Sequence, residues 1–358
     1  RKIDAATDRT SNKFLLLAKR AGLVGTALAA ASQGKEAITQ FADFESGLVG
    51  VGKTADIEGR QLQEFGDDIQ AMSRDIPIST ERLLELAQAA GQLGVKGTAN
   101  ILNFTRVMAE LQAASDVQGE GGAQSIVRLL GITNEGIEQV DQFTNVLVAL
   151  GNDSAASEAE ILDLASRVAQ STAAFELNST SILGVSAGLK SLDITAELAG
   201  STLLDAFIKT KAAIDEGGTA LSTLEAITGR TAEELQKLFA QDQAKFLQVF
   251  LEGLNKVKVS GGDVIATLNE LEITEKRAVA TLSTAAKGYD TIAKSIALSE
   301  EAARKNNARQ IEADKVFNGL NASIEKTANQ IRFAKQEIGQ LIAPGVTRGL
   351  EWVGDFFE

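Results

Sequence analysis

The chain has 358 residues, enough for two or three globular domains or one very elongated assembly. It contains no His and no Cys, which removes most acid–base, nucleophilic and transition-metal chemistry and rules out a disulfide framework. With 35 Lys and Arg against 48 Asp and Glu, the net charge of −13 argues against a sequence-independent DNA-binding surface and against stable nucleic-acid binding.

Only 2 Pro occur in a composition rich in Ala, Leu, Glu, Gln and Lys, so helices can run long with few forced stops. The best alternating stretch, Val257-Lys258-Val259, is too short for a strand. The expected fold is all-α: an elongated multi-helix segment. Aromatics make up 5% of residues, which predicts thin helix–helix seams of Ala, Leu, Ile and Val rather than a thick core.

Residues 2–46 read as one helix, or two joined near Gly34. Its first part is basic: Arg1, Lys2, Arg9, Lys13, Lys19, Arg20 and Lys35 against Asp4 and Asp8 give +5, read as a solvated face or a surface for an acidic partner. Ala21 to Ser32 is apolar, but a dozen residues span about half a bilayer. Because the chain opens at Arg1 rather than Met, it is expected to be an internal piece of something longer. The glycines of 47–59 are expected to break the helix. The next runs from about Gln61 to Arg74 and is stopped by Pro77. Ser79 or Thr80 caps its successor, which carries an apolar face of Leu83, Leu84, Leu86, Ala87 and Ala90 and closes at Gly91-Gln92-Leu93-Gly94. Further helices are predicted at 98–116, 122–130, 136–150, 157–175, 179–192, 195–214, 219–227, 231–257 and 263–286, with glycine pairs at 121–122, 217–218 and 261–262 between pieces. Ser157-x-x-Glu160 and Thr231-x-x-Glu234 are capping boxes, hence helix starts and not catalytic residues. No catalytic, cofactor-binding or metal-ligating residue is assigned.

Gly47-Leu48-Val49-Gly50-Val51-Gly52-Lys53-Thr54 fits the phosphate-loop pattern G-x-x-x-x-G-K-[ST]. Such a loop needs a buried strand before it, so that backbone N–H groups converge on phosphate at the following helix N-terminus. Ala37, Ile38, Phe41 and Phe44 recur instead at helical spacing, and no downstream strand offers a carboxylate for Mg²⁺. Gly47, Gly52, Lys53 and Thr54 are therefore read as a chance match, with no cofactor. A P-loop NTPase remains the enzyme rival.

From Asp290 to Ala343 there is no proline, and the only glycines are Gly319 and Gly339. Phe317, Ile324, Ile331 and Ile338 recur every seven residues, with Leu320, Thr327, Ala334 and Leu341 three places later. A single helix of this length would reach about 80 Å at ~1.5 Å per residue. It is read as a coiled-coil-like seam between copies, with Phe317, Leu320, Ile324, Ile331, Ala334, Ile338 and Leu341 at the interface and Pro344-Gly345 as a sharp end; the alternative reading is an amphipathic helix lying on its own domain. The tail Leu350, Trp352, Val353, Phe356 and Phe357 reads as packing on its neighbours, with membrane anchoring as the alternative. The expected segments are an N-terminal rod at 1–46, a helical core at 47–260, a long helical segment at 261–343 and a short tail at 344–358.

Several blocks recur in the order known from one family: Phe44-Glu45-Ser46-Gly47-Leu48-Val49-Gly50-Val51, Met72-Ser73, Pro77-Ile78-Ser79-Thr80-Glu81, Ala87-Gln88-Ala89-Ala90-Gly91-Gln92-Leu93-Gly94 and Ala199-Gly200-Ser201-Thr202-Leu203. Ile296-Ala297-Leu298-Ser299-Glu300-Glu301-Ala302 and Leu341-Ile342-Ala343-Pro344 extend the likeness over roughly 41–344. In them the chain resembles the core of phage tail tape measure proteins of the TP901 type. The resemblance implies a non-enzymatic virion protein inside the tail tube or at its tip, present in the host cytoplasm during assembly, setting tail length and leaving before DNA passes. It implies partners in further copies of itself, a homotrimer by symmetry, in the tail tube protein, in distal hub or baseplate proteins, in tail assembly chaperones and, at ejection, in the host membrane. A membrane-active conduit for DNA entry is the alternative function.

Overall fold

The scarcity of proline and the helix-favouring composition are realised in full. The computed structural model describes residues 25–357, side chains being described for 35–343 except Glu120, and within them are 17 α-helices, one short 3₁₀ turn and no strand. Expectations for residues 1–24, including most of the basic run and the start of the apolar stretch, lie outside the described residues. So do those for the side chains of the tail at Leu350, Trp352, Val353, Phe356 and Phe357. The chain divides into two compact units, one formed by residues 1–88 together with 320–358 and the other by Ala89–Gly319.

In the first unit, α1 (Gly25–Ala55) and α2 (Gly59–Asp75) pack against α17 (Leu320–Phe357), and α3 (Thr80–Gln92) begins here. Phe44, Val51, Phe65, Ile69, Leu83 and Leu84 form its core. Helix α2 ends ahead of Pro77, and Ser79 Oγ accepts from the Arg82 N–H at the start of α3, as the sequence predicts. The predicted break at 47–59 is corrected: α1 runs unbroken through Gly47, Gly50 and Gly52 to Ala55. Those glycines are sites of close approach. A Cβ on Gly47 would stand 2.9 Å from Leu84 Cδ1, one on Gly50 2.6 Å from Gln88 Oε1, and one on Gly52 2.9 Å from the Ile57 carbonyl. Tight packing across α1 offsets the helix-propensity cost of glycine, about 1 kcal/mol per residue.

The second unit contains α4 (Thr98–Ala114), α5 (Gly119–Ile132), a 3₁₀ turn (Ile137–Gln139), α6 (Val140–Asp153), α7 (Glu158–Ser171), α8 (Ser179–Lys190) and α9 (Ala196–Glu216). It continues with α10 (Gly218–Thr228), α11 (Ala232–Gln241), α12 (Gln243–Val259), α13 (Val264–Glu270), α14 (Lys276–Lys287), α15 (Tyr289–Lys305) and α16 (Ala308–Phe317). Helix α15 lies on α8 and α6, and α9 on α7 and α14. Both capping boxes form: Ser157 and Thr231 accept from the N3 backbone of α7 and α11 while Glu160 and Glu234 reach back. Gly217, between α9 and α10, and Gly218, the first residue of α10, take positive φ, but Gly121 and Gly122 lie inside the first turn of α5 rather than before it. The predicted helix 231–257 divides at Asp242, whose backbone leaves the helical region and whose side chain caps α12 by accepting from the Lys245 N–H. The predicted helix 263–286 divides likewise, with Asp263 capping α13, Glu272 at φ 62° and Glu275 capping α14. The expectation of thin seams is also corrected here. Phe104, Phe143, Phe207, Phe246 and Phe250 are fully buried, and the rings of Phe175, Phe207, Phe239 and Phe246 meet at centroid distances of 4.8–6.0 Å.

The expected single helix over 290–343 is three helices. Asn306 adopts a left-handed conformation at the end of α15, a conformation Asn tolerates better than most residues. Asn318-Gly319, both weak helix formers, separate α16 from α17. Phe317 is consequently buried in the second unit and does not share a helix with Leu320. The predicted stop at Pro344-Gly345 is not seen: α17 continues to Phe357. An interior proline forfeits one backbone hydrogen bond, which a long helix can carry.

Candidate interaction surface

Helix α17 turns its polar side inward. Asn329 is buried, and its Nδ2 donates to the carbonyls of Ser73 at 2.8 Å and Ile78 at 2.9 Å, at the corner between α2 and α3. Gln336, also buried, accepts from Gln70 Nε2 at 3.2 Å and donates to Thr80 Oγ1 at 3.4 Å. Ala322 is buried on the same side, the backbone of α1 at Ala37 closes on Gly339, and Lys335 pairs with Glu36 at 2.5 Å. Arg74 lies 4.6 Å over the ring of Phe333.

The seam read from the sequence faces the other way. Leu320 is 78% exposed, Ile324 59%, Ile331 53% and Leu341 56%, while Ala334 is exposed and Ile338 half-buried. At 3.6 residues per turn these positions fall within an arc of about 100° opposite Asn329 and Gln336. The structure thus brings six of the seven predicted interface residues onto one helix and leaves Phe317 out. The inward polar pair escaped sequence reasoning because Asn and Gln seven residues apart look like a solvated face. Their spacing was the available signal.

A second polar assembly lies inside the other unit. Arg309, on α16, is fully buried. Its Nε donates to Glu110 on α4 at 2.9 Å, its Nη2 to Asp141 on α6 at 2.8 Å, and its Nη1 to the Thr144 hydroxyl. The Arg309 N–H donates to Asn145 Oδ1 at 2.8 Å, and Asn145 Nδ2 to Asn306 Oδ1 at 2.9 Å, so one side chain holds both the left-handed corner and the start of α16. Burial alone would push the Asp141 carboxyl up. Hydrogen bonds from Arg309 and Asn103, with the charges of Arg309 and Arg106, outweigh it and hold the pKa below the usual carboxylate value. Every Arg309 nitrogen is engaged, so the cluster anchors helices and offers no reacting group.

The phosphate-loop residues occupy the interior of α1. Thr54 Oγ1 donates to the carbonyls of Gly50 and Val51, and Lys53 is exposed. Backbone amides inside a helix are directed along its axis at carbonyls and cannot converge on a phosphate. In the second unit an open cavity of about 780 Å³ is lined by amides and carboxylates, among them Gln139, Asn178 and Glu135. Glu135 is committed to the Ser179 N–H and the Thr133 hydroxyl. Among the described residues no group of acidic side chains is arranged to hold a metal ion, and no helix is long and apolar enough to cross a membrane.

Neither curated proteins nor solved structures give a match to the chain. A family model described as phage-related minor tail protein matches residues 66–260, more than half of the sequence and narrower than the 41–344 over which the tape measure likeness runs. The span takes in helices from within α2 to the end of α12. It excludes the phosphate-loop match in α1 as well as α17 with its outward apolar stripe. On this match the chain belongs to the phage-related minor tail protein family.

Proposed function

We propose that this chain is the core segment of a tail tape measure protein, a structural and non-enzymatic component lying in the tail tube or at its tip. It acts in three copies and contacts the tube protein, the distal hub and the tail assembly chaperones. The observation that carries the reading is the family match on a chain whose described residues form helices and no strand. The 38-residue helix α17 converts residue number into length linearly, at about 1.5 Å per residue, whereas compact units such as Ala89–Gly319 lengthen only weakly with chain length, so α17 is the part of this chain suited to a ruler. The outward stripe of α17 supplies the surface for bundling.

Removing two heptads, residues 321–334, from the gene in the phage genome is expected to shorten tails by about 20 Å at ~1.5 Å per residue, measured on averaged electron micrographs. Tails of unchanged length would make the segment a plug or anchor. The rival nucleotide reading meets its own test in calorimetric titration of the protein with ATP and Mg²⁺. No binding heat is expected, and binding abolished by Lys53→Ala would overturn the structural assignment of α1.

A further inference from the structure

We propose that the cleft bounded by α7, α9 and α14 binds a small zwitterion, an aminocarboxylate of the size of an amino acid or dipeptide, with its carboxylate on Arg167 and Arg277 and its ammonium on Asp205. The site lies within the second unit and neither needs nor alters the tail role.

The cleft is open, with a volume of about 510 Å³, within the range of small-molecule pockets. Helical spacing sets its walls. Arg167 and Ser171 stand one turn apart on α7, Thr202 and Asp205 one turn apart on α9, and Arg277 comes from the first turn of α14. A glycine holds Arg167 in place: a Cβ on Gly200 would lie 3.2 Å from Arg167 Cγ and 2.6 Å from Ser171 Oγ, so only the bare backbone of α9 lets the arginine stem lie against it. Across the cleft, Glu275 caps α14 by accepting from the Ala278 N–H at 2.8 Å, which fixes the turn that carries Arg277.

Two observations point to a ligand. Thr202, on the floor of the cleft, is 2% exposed, and its hydroxyl has no hydrogen-bond partner. A buried hydroxyl left unpaired forfeits the bonds it made in water, and a polar ligand would restore one. The second observation is that opposite charges line one small space without pairing. Among the described residues, the side chains of Arg167, Arg277, Glu197 and Asp205 have no ion-pair or hydrogen-bond partner. The charges acting on Asp205 are those of Lys209 and Glu275 and not of either arginine, so the cationic and anionic parts of the cleft stand apart. Lys209 is itself drawn to Glu272 at 3.4 Å. Burial disfavours the Asp205 charge, and a cation brought to it would offset that cost. With Glu275 spent on its cap, two guanidiniums face two carboxylates. A simple anion would meet Glu197 and Asp205, and a simple cation would meet the arginines. A molecule with one charge of each sign satisfies both, its carboxylate taking the paired N–H donors that a guanidinium presents.

The test is amide NMR on the whole isotope-labelled chain at fixed pH. The probes are glycylglycine, N-acetylglycylglycine, which lacks the ammonium, and glycylglycinamide, which lacks the carboxylate. Glycylglycine is expected to shift the amides of Ser171, Thr202 and Ala278 and to saturate in the millimolar range, the affinity open to so small a ligand. Each blocked dipeptide should bind about tenfold more weakly. Arg277→Gln, at an exposed position, should weaken glycylglycine by a similar factor, and the Asp205→Asn chain should bind it no better than the wild type binds the acetylated form. Thr202→Val removes the hydroxyl at nearly constant shape, so it should weaken binding while leaving the urea midpoint of the free chain unchanged or higher. No saturable shift at these amides, equal binding of all three dipeptides, or full affinity retained in either charge variant would overturn the site. A Thr202→Val chain that loses stability without losing binding would do the same, since the hydroxyl would then have its partner inside the protein. None of these outcomes bears on tail length.

Discussion

Replacing Arg309 with Met keeps an unbranched apolar stem and removes the guanidinium with its charge. Glu110 and Asp141 would then lose their shared cation, and Thr144 and the Asp141 carbonyl would lose a donor. Breaking a buried pair by removing one partner costs about 3–5 kcal/mol. Two features reduce that figure. Arg106 stays 2.9 Å from Glu110 and 3.4 Å from Asp141, and the Asp141 side chain is 26% exposed. The expected loss is therefore about 2–3 kcal/mol, which for a unit of this size lowers Tm by roughly 5–10 °C. Thermal and urea denaturation followed by circular dichroism would measure it, and hydrogen exchange should show α16 losing protection first. The pH dependence has a definite sign. The folded pKa of Asp141 is depressed, so its stabilisation is complete above the ordinary carboxylate value, about 4, and disappears as the pH falls through the lower folded value. The gap between wild type and Arg309→Met should narrow over that acid range. A loss under about 1 kcal/mol at pH 7, with α16 protection intact, would refute the view that this cluster anchors the helix.

Two further substitutions probe the second unit. A Cβ at Gly188 would lie 2.6 Å from Ile292 Cα, where α8 meets α15, so Gly188→Ala is expected to cost about 1–3 kcal/mol in urea denaturation. No change would mean that these helices lie farther apart. Glu158 is buried at the start of α7, and burial, aided by the charge of Asp116, raises its pKa. A raised folded value means stability present below the unfolded pKa and lost as the pH rises through the folded one, so Glu158→Gln should gain a few degrees in Tm at pH 7 and almost nothing at pH 4. Equal gains at both pH values would exclude titration as the cause.

Much of the fold was legible because helix signals are local. Pro77, Ser79, the two capping boxes and the glycines at 217–218 act within a turn of their own position, and each appears where the spacing places it. Misreadings came where a distant contact decided the outcome. Gly47 and Gly50 look like breakers until Leu84 and Gln88 are brought against them. The corner at Asn306 depends on Asn145, 161 residues away. Asp242 is the exception, a local cap through the Lys245 N–H that the continuous apolar pattern around it conceals. The heptads of α17 were visible, but not which side would be covered, because Ser73 and Ile78 select Asn329 through backbone carbonyls that leave no mark in the side-chain pattern.

The first unit is assembled from two stretches of chain separated by the whole of Ala89–Gly319. On a ribosome adding about 5–20 residues per second, α1 and α2 emerge tens of seconds before α17 exists to cover them. The intervening unit has all of its own sequence by then and can close first. Ala37 and Phe41 of newborn α1, the residues that Gly339 of α17 meets, therefore wait for nearly the whole chain before their cover arrives.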